Sequence, residues 1–276
     1  MTTRLIGTLL DGWDVRARNT AVNENNPIHT DSVAREYGFG GGLVPGVTTF
    51  AYLCGPLVAE YGQRFLEDAE VEVRLRRPLY DGQLLRAAAR YLGDDDGAER
   101  WEAWVEAGGE RVAEANVRVG ALGALAPFTF TSGRALPDHP PVASPDTLPL
   151  GASLAAVRRR VELAEAVAYS TLVGDRSSLF GVDGGHLHPG WLLSRANRVL
   201  ALNVELGPWM HTHSKVRLAG VGPAPTEVTI SAGVVEVGTQ RAGDYVVLDV
   251  QVADRDGRVL LRGLHRAVYR MSRRSV

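Results

Sequence analysis

The chain of 276 residues holds a single cysteine, Cys54. Neither an intrachain disulfide nor a thiolate metal cluster can therefore form within it. No apolar run approaches the roughly 20 residues that a membrane helix needs. The N-terminal stretch meets Asp11 and Asp14 too early for the apolar core of a secretion signal, so a cytoplasmic protein without a membrane partner is expected. A surplus of one charge is missing too, and the formal net charge of −2 gives no reason to expect nucleic acid as a partner. There is no glycine-rich nucleotide loop, so no nicotinamide, flavin or metal cofactor is expected.

What the chain does have is one pattern given twice. Six prolines, Pro127, Pro137, Pro140, Pro141, Pro145 and Pro149, crowd the stretch near its middle. Proline lacks an amide donor and fixes φ, so this stretch reads as a linker rather than a helix or central strand. On either side the pieces match in order. Gly42-Leu43-Val44-Pro45-Gly46, a helical run and Val73-Arg74-Leu75 precede the linker. His186-Leu187-His188-Pro189-Gly190, a helical run and Val216-Arg217-Leu218 follow it. Gly109-Glu110-Arg111-Val112 and Asp256-Gly257-Arg258-Val259 add a further pair at turns, and all these partners lie 143 to 147 residues apart. Such constancy marks a duplication.

Within each half the elements can be read. From Val47 through Phe50, Ala51, Cys54, Leu57 and Val58 to Tyr61, apolar residues recur at three- and four-residue steps, with Gly62 as the stop. The partner helix is expected from Trp191 to Leu206, ended by Gly207. Both are apolar on most sides, as helices wrapped by other structure are. The period then changes to two, in Val71–Leu75 and Tyr245–Val252, with turn chemistry at Tyr80-Asp81-Gly82 and Asp254–Gly257. Arg158-Arg159-Arg160 is expected on a helix-like stretch as a solvated face. The expected class is α+β: a long buried helix and an antiparallel meander, twice, with the two sheets joined edge to edge.

Chemistry concentrates before the first helix, in Asn23-Glu24-Asn25-Asn26-Pro27-Ile28-His29-Thr30-Asp31. Pro27 keeps Asn26 out of helical geometry. Across such a turn Glu24 and His29 can face one pocket and together orient and deprotonate a water. Seventeen residues on stands Gly46, where the free amides and dipole of a helix start suit an oxyanion. In the second half Leu172–Phe180 aligns without a gap on Ala21–His29. Asp175 then falls on Glu24 and Phe180 on His29, and a phenyl ring cannot move a proton. His186 with His188, and His211 with His213, invite a metal-site reading, because two histidines two apart on a strand share a face. No carboxylate motif accompanies them, so no metal is assigned. Asp175 with His186 or His188 remains a rival site in the second half.

At Asn26-Pro27-Ile28-His29 and Gly46 the sequence resembles the MaoC-like acyl dehydratases, the (R)-specific enoyl-CoA hydratases of the hotdog fold. The resemblance implies two tandem hotdog units, with His29 as catalytic base or acid and the Gly46 amide polarising a thioester carbonyl. Asp31 falls where the family often has it, and Cys54 stands where the family often has a small polar residue facing the acyl chain. Asn26, Asp31, Phe50 and Cys54 are thus the expected substrate contacts. Glu24 departs from the family's aspartate, and Asn23 from its glycine. One methylene moves a carboxylate by about 1.5 Å, enough to cost about a hundredfold in rate if nothing compensates.

The expected organisation is an N-terminal unit at 1–122 with the active site, a linker at 123–150 and a C-terminal unit at 151–276 with a degenerate site. The expected activity is hydration or dehydration of 2-enoyl and 3-hydroxyacyl thioesters, with CoA only as part of the substrate. Arg195 and Arg198 are candidates for its phosphates. Thioester hydrolysis and non-catalytic acyl-thioester binding are the alternatives. A homodimer or a monomeric pseudo-dimer is expected.

Overall fold

The computed structural model describes residues 4–21 and 26–272. Ten strands form one sheet. The first half contributes β1 (Leu9–Arg16), β2 (Ala69–Leu75), β3 (Leu84–Asp95), β4 (Ala98–Ala107) and β5 (Glu110–Val119). The second contributes β6 (Val157–Val161), β7 (Met210–Leu218), β8 (Thr226–Gln240), β9 (Gly243–Asp254) and β10 (Val259–Met271). The order across the sheet is β1-β3-β4-β5-β2-β7-β10-β9-β8-β6. Read from each outer edge inward, both halves run first, third, fourth, fifth, second. The internal repeat is therefore also a repeat of topology.

The halves join where β2 pairs with β7 in antiparallel register, Val71 opposite Val216 and Val73 opposite Ser214. Neither inner strand is left as an open edge, which a lone half would expose. Glu70 with Lys215 (3.4 Å) and Asp68 with Arg217 (2.7 Å) cross the seam as ion pairs.

Of the helices α1 (Asp31–Glu36), α2 (Gly46–Tyr61), α3 (Gln63–Glu67), α4 (Leu163–Leu172) and α5 (Pro189–Asn203), α2 and α5 are the buried pair. Every residue of α2 from Val47 to Val58 is buried, which explains a sequence apolar on most sides. Each fully buried Phe or Leu here stabilises the fold by roughly 1.5–3 kcal/mol. The two helices touch at Gly190, where any side chain would strike Ala51.

Three elements differ from expectation. Arg158-Arg159-Arg160 lie on strand β6, not on a helix: Val157 and Val161 are buried and the three arginines between them exposed. A charged edge of this kind resists pairing with another sheet. Helix α5 ends at Asn203 rather than near Gly207, because Val204 is already extended at φ −140°, ψ 148°. The Asn203 amide joins Ala155 N–H (2.7 Å) and C=O (3.0 Å), fixing the exit. Helix α4 was not foreseen. The proline-rich stretch lies against the second half, with Arg262 donating to Ala126 C=O (2.6 Å) and Ala143 N–H to Glu205 C=O (2.9 Å).

Candidate active site

Pro27–His29 form one 3-10 turn, with the Asn26 side chain accepting from Ile28 N–H at its start. His29 C=O accepts from the Asn19 amide (2.8 Å), and Leu43 N–H donates to Ile28 C=O (3.3 Å). This laces the turn to the segment that opens α2. Gly42 passes so close to His29 C=O that a Cβ there would collide with it. His29 Nδ1 lies 2.7 Å from Leu43 C=O. A carbonyl only accepts, so Nδ1 carries the proton and Nε2 is the lone pair. Burial lowers the pKa of His29, with the Leu43 carbonyl opposing it. The imidazole is thus a neutral base.

The lone pair meets the Asn26 amide, whose Nδ2 donates to His29 Nε2 (3.2 Å) and to Trp209 C=O (3.0 Å). Asn26 Oδ1 accepts from Trp209 N–H (3.3 Å). Asn26, 5% exposed, therefore clamps the His29 turn of the first half to the strand start of the second. Between them lies a cavity of about 230 Å³. Its walls include Asn26, His29, Leu43, Gly46 and Thr49 from the first half and Asn197, Trp209 and His211 from the second. Gly46 opens α2, so its amide is among the first-turn donors that no helical carbonyl receives. A side chain there would strike Leu75 and His211, whose Nδ1 stands 2.7 Å from where its Cβ would be.

His211 reaches this place through a break in β7. Ala267 pairs with His211 and Arg266 with His213, leaving Thr212 as a bulge. Two residues filling one position turn the strand over, so His211 is buried along with Ser214 while His213 faces outward to Glu72 (3.2 Å). The expected common face of His211 and His213 is thereby corrected. Among the described residues no group of three or more His, Cys, Asp or Glu is placed to hold a metal. His211 Nε2 is 2.8 Å from Ser214 Oγ, which is 3.0 Å from His265 Nδ1, and the two rings stack at 4.3 Å. Burial keeps both neutral: it lowers His211 well below the usual value, with His265 adding to the effect and the His213 backbone opposing it, and lowers His265 to about 3. Among the described residues His211 Nδ1 is buried without a hydrogen-bond partner, at a cost of about 1–3 kcal/mol for such an atom.

No family model matches the sequence, and no curated protein does. Solved structures do match. A protein described as a MaoC domain dehydratase from Chloroflexus aurantiacus superposes with a TM-score of 0.69 at 13% identity, over 98% of this chain and 97% of the other. A double-hotdog protein from Mycobacterium tuberculosis gives 0.66 at 13%, over 96% of each chain. A protein described as an oleoyl thioesterase from Lactobacillus plantarum gives 0.54 at 10%, over 96% and 98%. The fold is a double hotdog.

In the second hotdog unit the amide that corresponds to Gly46 is already occupied. His188 Nδ1 accepts the N–H of Gly190 (3.0 Å), the residue that corresponds to Gly46. Its Nε2 therefore carries the proton and donates to Asp175 (3.2 Å), and both side chains are almost wholly buried. Phe180 packs on the His188 ring at 4.5 Å. In the rival Asp175–His188 pair, His188 Nδ1 caps α5, and Asp175 holds the His188 ring with one oxygen while the other accepts from Ser177 N–H (2.8 Å). His186 stands apart from them, its Nδ1 buried and its backbone bridged to Pro223.

The remaining expected contacts fall in several places. Glu24 lies outside the described residues. Asp31 points away from the cavity, accepting from Gly42 N–H (2.8 Å) and pairing with Arg35 (3.2 Å), and so braces the loop before α2. Phe50 and Cys54 are fully buried in the core of the double hotdog and are not among the residues that line the cavity. They lie one and two turns down α2 from Gly46. Asn197, Trp209 and His211, which sequence reasoning did not place at this site, form its far wall. Arg195 and Arg198 line a neighbouring depression of about 530 Å³ that shares Asn26, Asn197 and Trp209 with the cavity.

Proposed function

We propose that this double hotdog protein adds water to 2-enoyl thioesters and removes it from 3-hydroxyacyl thioesters. The observation that carries the reading is a neutral His29, its Nδ1–H fixed on Leu43, lining one cavity with the helix-opening Gly46. In the hydration direction water displaces the Asn26 amide from His29 Nε2, which with Glu24 takes a proton from that water as its oxygen bonds to C3. Electrons move onto the thioester oxygen, which the Gly46 amide receives. The proton then returns to C2, so one water is added and no redox partner is needed. The resemblance at Asn26-Pro27-Ile28-His29 and the superposition on a dehydratase support this choice among hotdog activities. A cavity of about 230 Å³, below the roughly 300–1,000 Å³ of drug-sized pockets, suits a short acyl group. The depression lined by Arg195 and Arg198 is the place for a CoA carrier's phosphates.

Crotonyl-CoA tests the proposal. Loss of the conjugated thioester's absorbance without release of thiol is expected, and His29→Ala is expected to lower the rate by about 10²–10⁴-fold. Free thiol identifies hydrolysis instead, and a full rate in His29→Ala removes His29 from the chemistry.

A further inference from the structure

Resting on that reading, we infer that His211, contributed by the second hotdog unit, is a catalytic residue that donates from Nδ1 to the thioester oxygen beside the Gly46 amide. A developing oxyanion takes more than one hydrogen bond, and a single helix amide supplies one. The cavity holds an unmatched polar atom at the right place. His211 Nδ1 is buried, has no partner among the described residues, and stands 2.7 Å from the position a Gly46 Cβ would occupy. Its position is built by the Thr212 bulge, without which the ring would lie on the outer face with His213.

Ser214 and His265 set which form of the ring faces the cavity. The Ser214 hydroxyl has one proton and two nitrogens to serve, at 2.8 Å and 3.0 Å. When it accepts from His265 Nδ1–H and donates to His211 Nε2, the His211 proton resides on Nδ1 and a donor faces the cavity. In the opposite arrangement His211 Nε2–H donates to Ser214 and Ser214 to His265 Nδ1, which puts the His265 proton on Nε2, an atom buried without a partner among the described residues, and leaves His211 Nδ1 as a lone pair. Both arrangements keep the two imidazoles neutral, and they differ by a proton at each end of the chain, on His211 Nδ1 in the first and on His265 Nε2 in the second. A substrate oxygen can accept only from the first, and its arrival selects that arrangement. Ser214 and His265 are thus positioning residues. They act through the tautomer of His211 and do not touch substrate.

The test uses the whole chain with crotonyl-CoA for turnover and butyryl-CoA labelled with ¹³C at the carbonyl for infrared spectroscopy. His211→Leu, checked for folding by circular dichroism, is expected to lower kcat by about 10²–10³-fold with little change in KM, since the bond strengthens as charge develops. His211→Asn, whose amide can place a donor near Nδ1, is expected to recover most of that loss. The bound carbonyl band is expected to lie lower in the wild type and His211→Asn than in His211→Leu. Ser214→Ala is expected to lower kcat by about tenfold and to weaken the band shift, and it serves if His211→Leu does not fold. An unchanged carbonyl band in His211→Leu, or unchanged turnover and band in Ser214→Ala, overturns the inference. A His211-dependent band shift in a wild-type protein that does not hydrate crotonyl-CoA upholds the donor and overturns the hydratase reading.

Discussion

At the scale of the residue, the site turns on where single protons reside. His29 donates from Nδ1 to Leu43 C=O, so it works as a base only while Nε2 is bare. Burial lowers its pKa, and the bare form persists into more acidic solution than for an exposed histidine. The acid limb of kcat/KM for crotonyl-CoA is therefore expected below pH 6.5, and a limb above that value would exclude His29 as the base. The same reasoning gives a stability effect at His265, lowered to about 3 by burial. Unfolded histidine titrates near 6.5. Above that pH neither state binds the proton; below it the unfolded chain takes one that the folded protein refuses. Stability is full above pH 6.5 and is lost as the pH falls toward 3. Between pH 7 and 5 this one residue costs about 2 kcal/mol. Urea unfolding at the two pH values is expected to show that loss in the wild type and a loss smaller by that amount in His265→Asn. Equal losses would mean that His265 is already charged in the fold.

At the scale of the element, what the sequence revealed was local and what it hid was not. The helix α2, its glycine start and the Asn26-Pro27-Ile28-His29 turn lie within a few residues of their own signals, and all are found where the spacing puts them. The role of His211 depends on Thr212 being skipped in the pairing of β7 with β10, and no periodicity in the sequence marks that skip. The contact of Asp31 with Gly42 N–H is hidden for a similar reason, since only the folded chain brings that loop over it. The end of α5 was set by the Asn203 amide on Ala155, 48 residues away, and not by the nearest glycine. At the start of α5, His188 occupies the amide that its first-half counterpart leaves open. Its work is to hold the helix. Removing it takes the imidazole donor from buried Asp175 and leaves it Ser177 N–H, so His188→Ala is expected to cost up to roughly 3–5 kcal/mol. Turnover per folded molecule is expected to stay near wild type. A stable His188→Ala protein that fails to hydrate crotonyl-CoA would move the chemistry into the second hotdog unit.

At the scale of the whole molecule, both halves build the cavity on which the proposed function rests. The first half holds Glu24, His29 and Gly46, and His29 is the only histidine among residues 1–122. The second half supplies the Trp209 backbone that fixes Asn26, the Asn197 wall and His211. The β2–β7 seam carries this dependence, because it holds Met210–Leu218 beside the strand that follows α2. Residues 1–122 alone would expose the β2 edge, and two such halves can close it by pairing β2 with β2. That assembly would regain a continuous sheet and both helix-opening glycines. It would lack any imidazole opposite Gly46 and the backbone that orients Asn26. Its hydration of crotonyl-CoA is therefore expected to fall by at least about a hundredfold, the cost of losing one oxyanion donor. Adding residues 123–276 in trans is expected to restore the rate in step with formation of the one-to-one complex, followed by sedimentation. If the first half alone, as a dimer, matched the full chain, the far wall of the cavity would be packing and the division of labour between the units would fall.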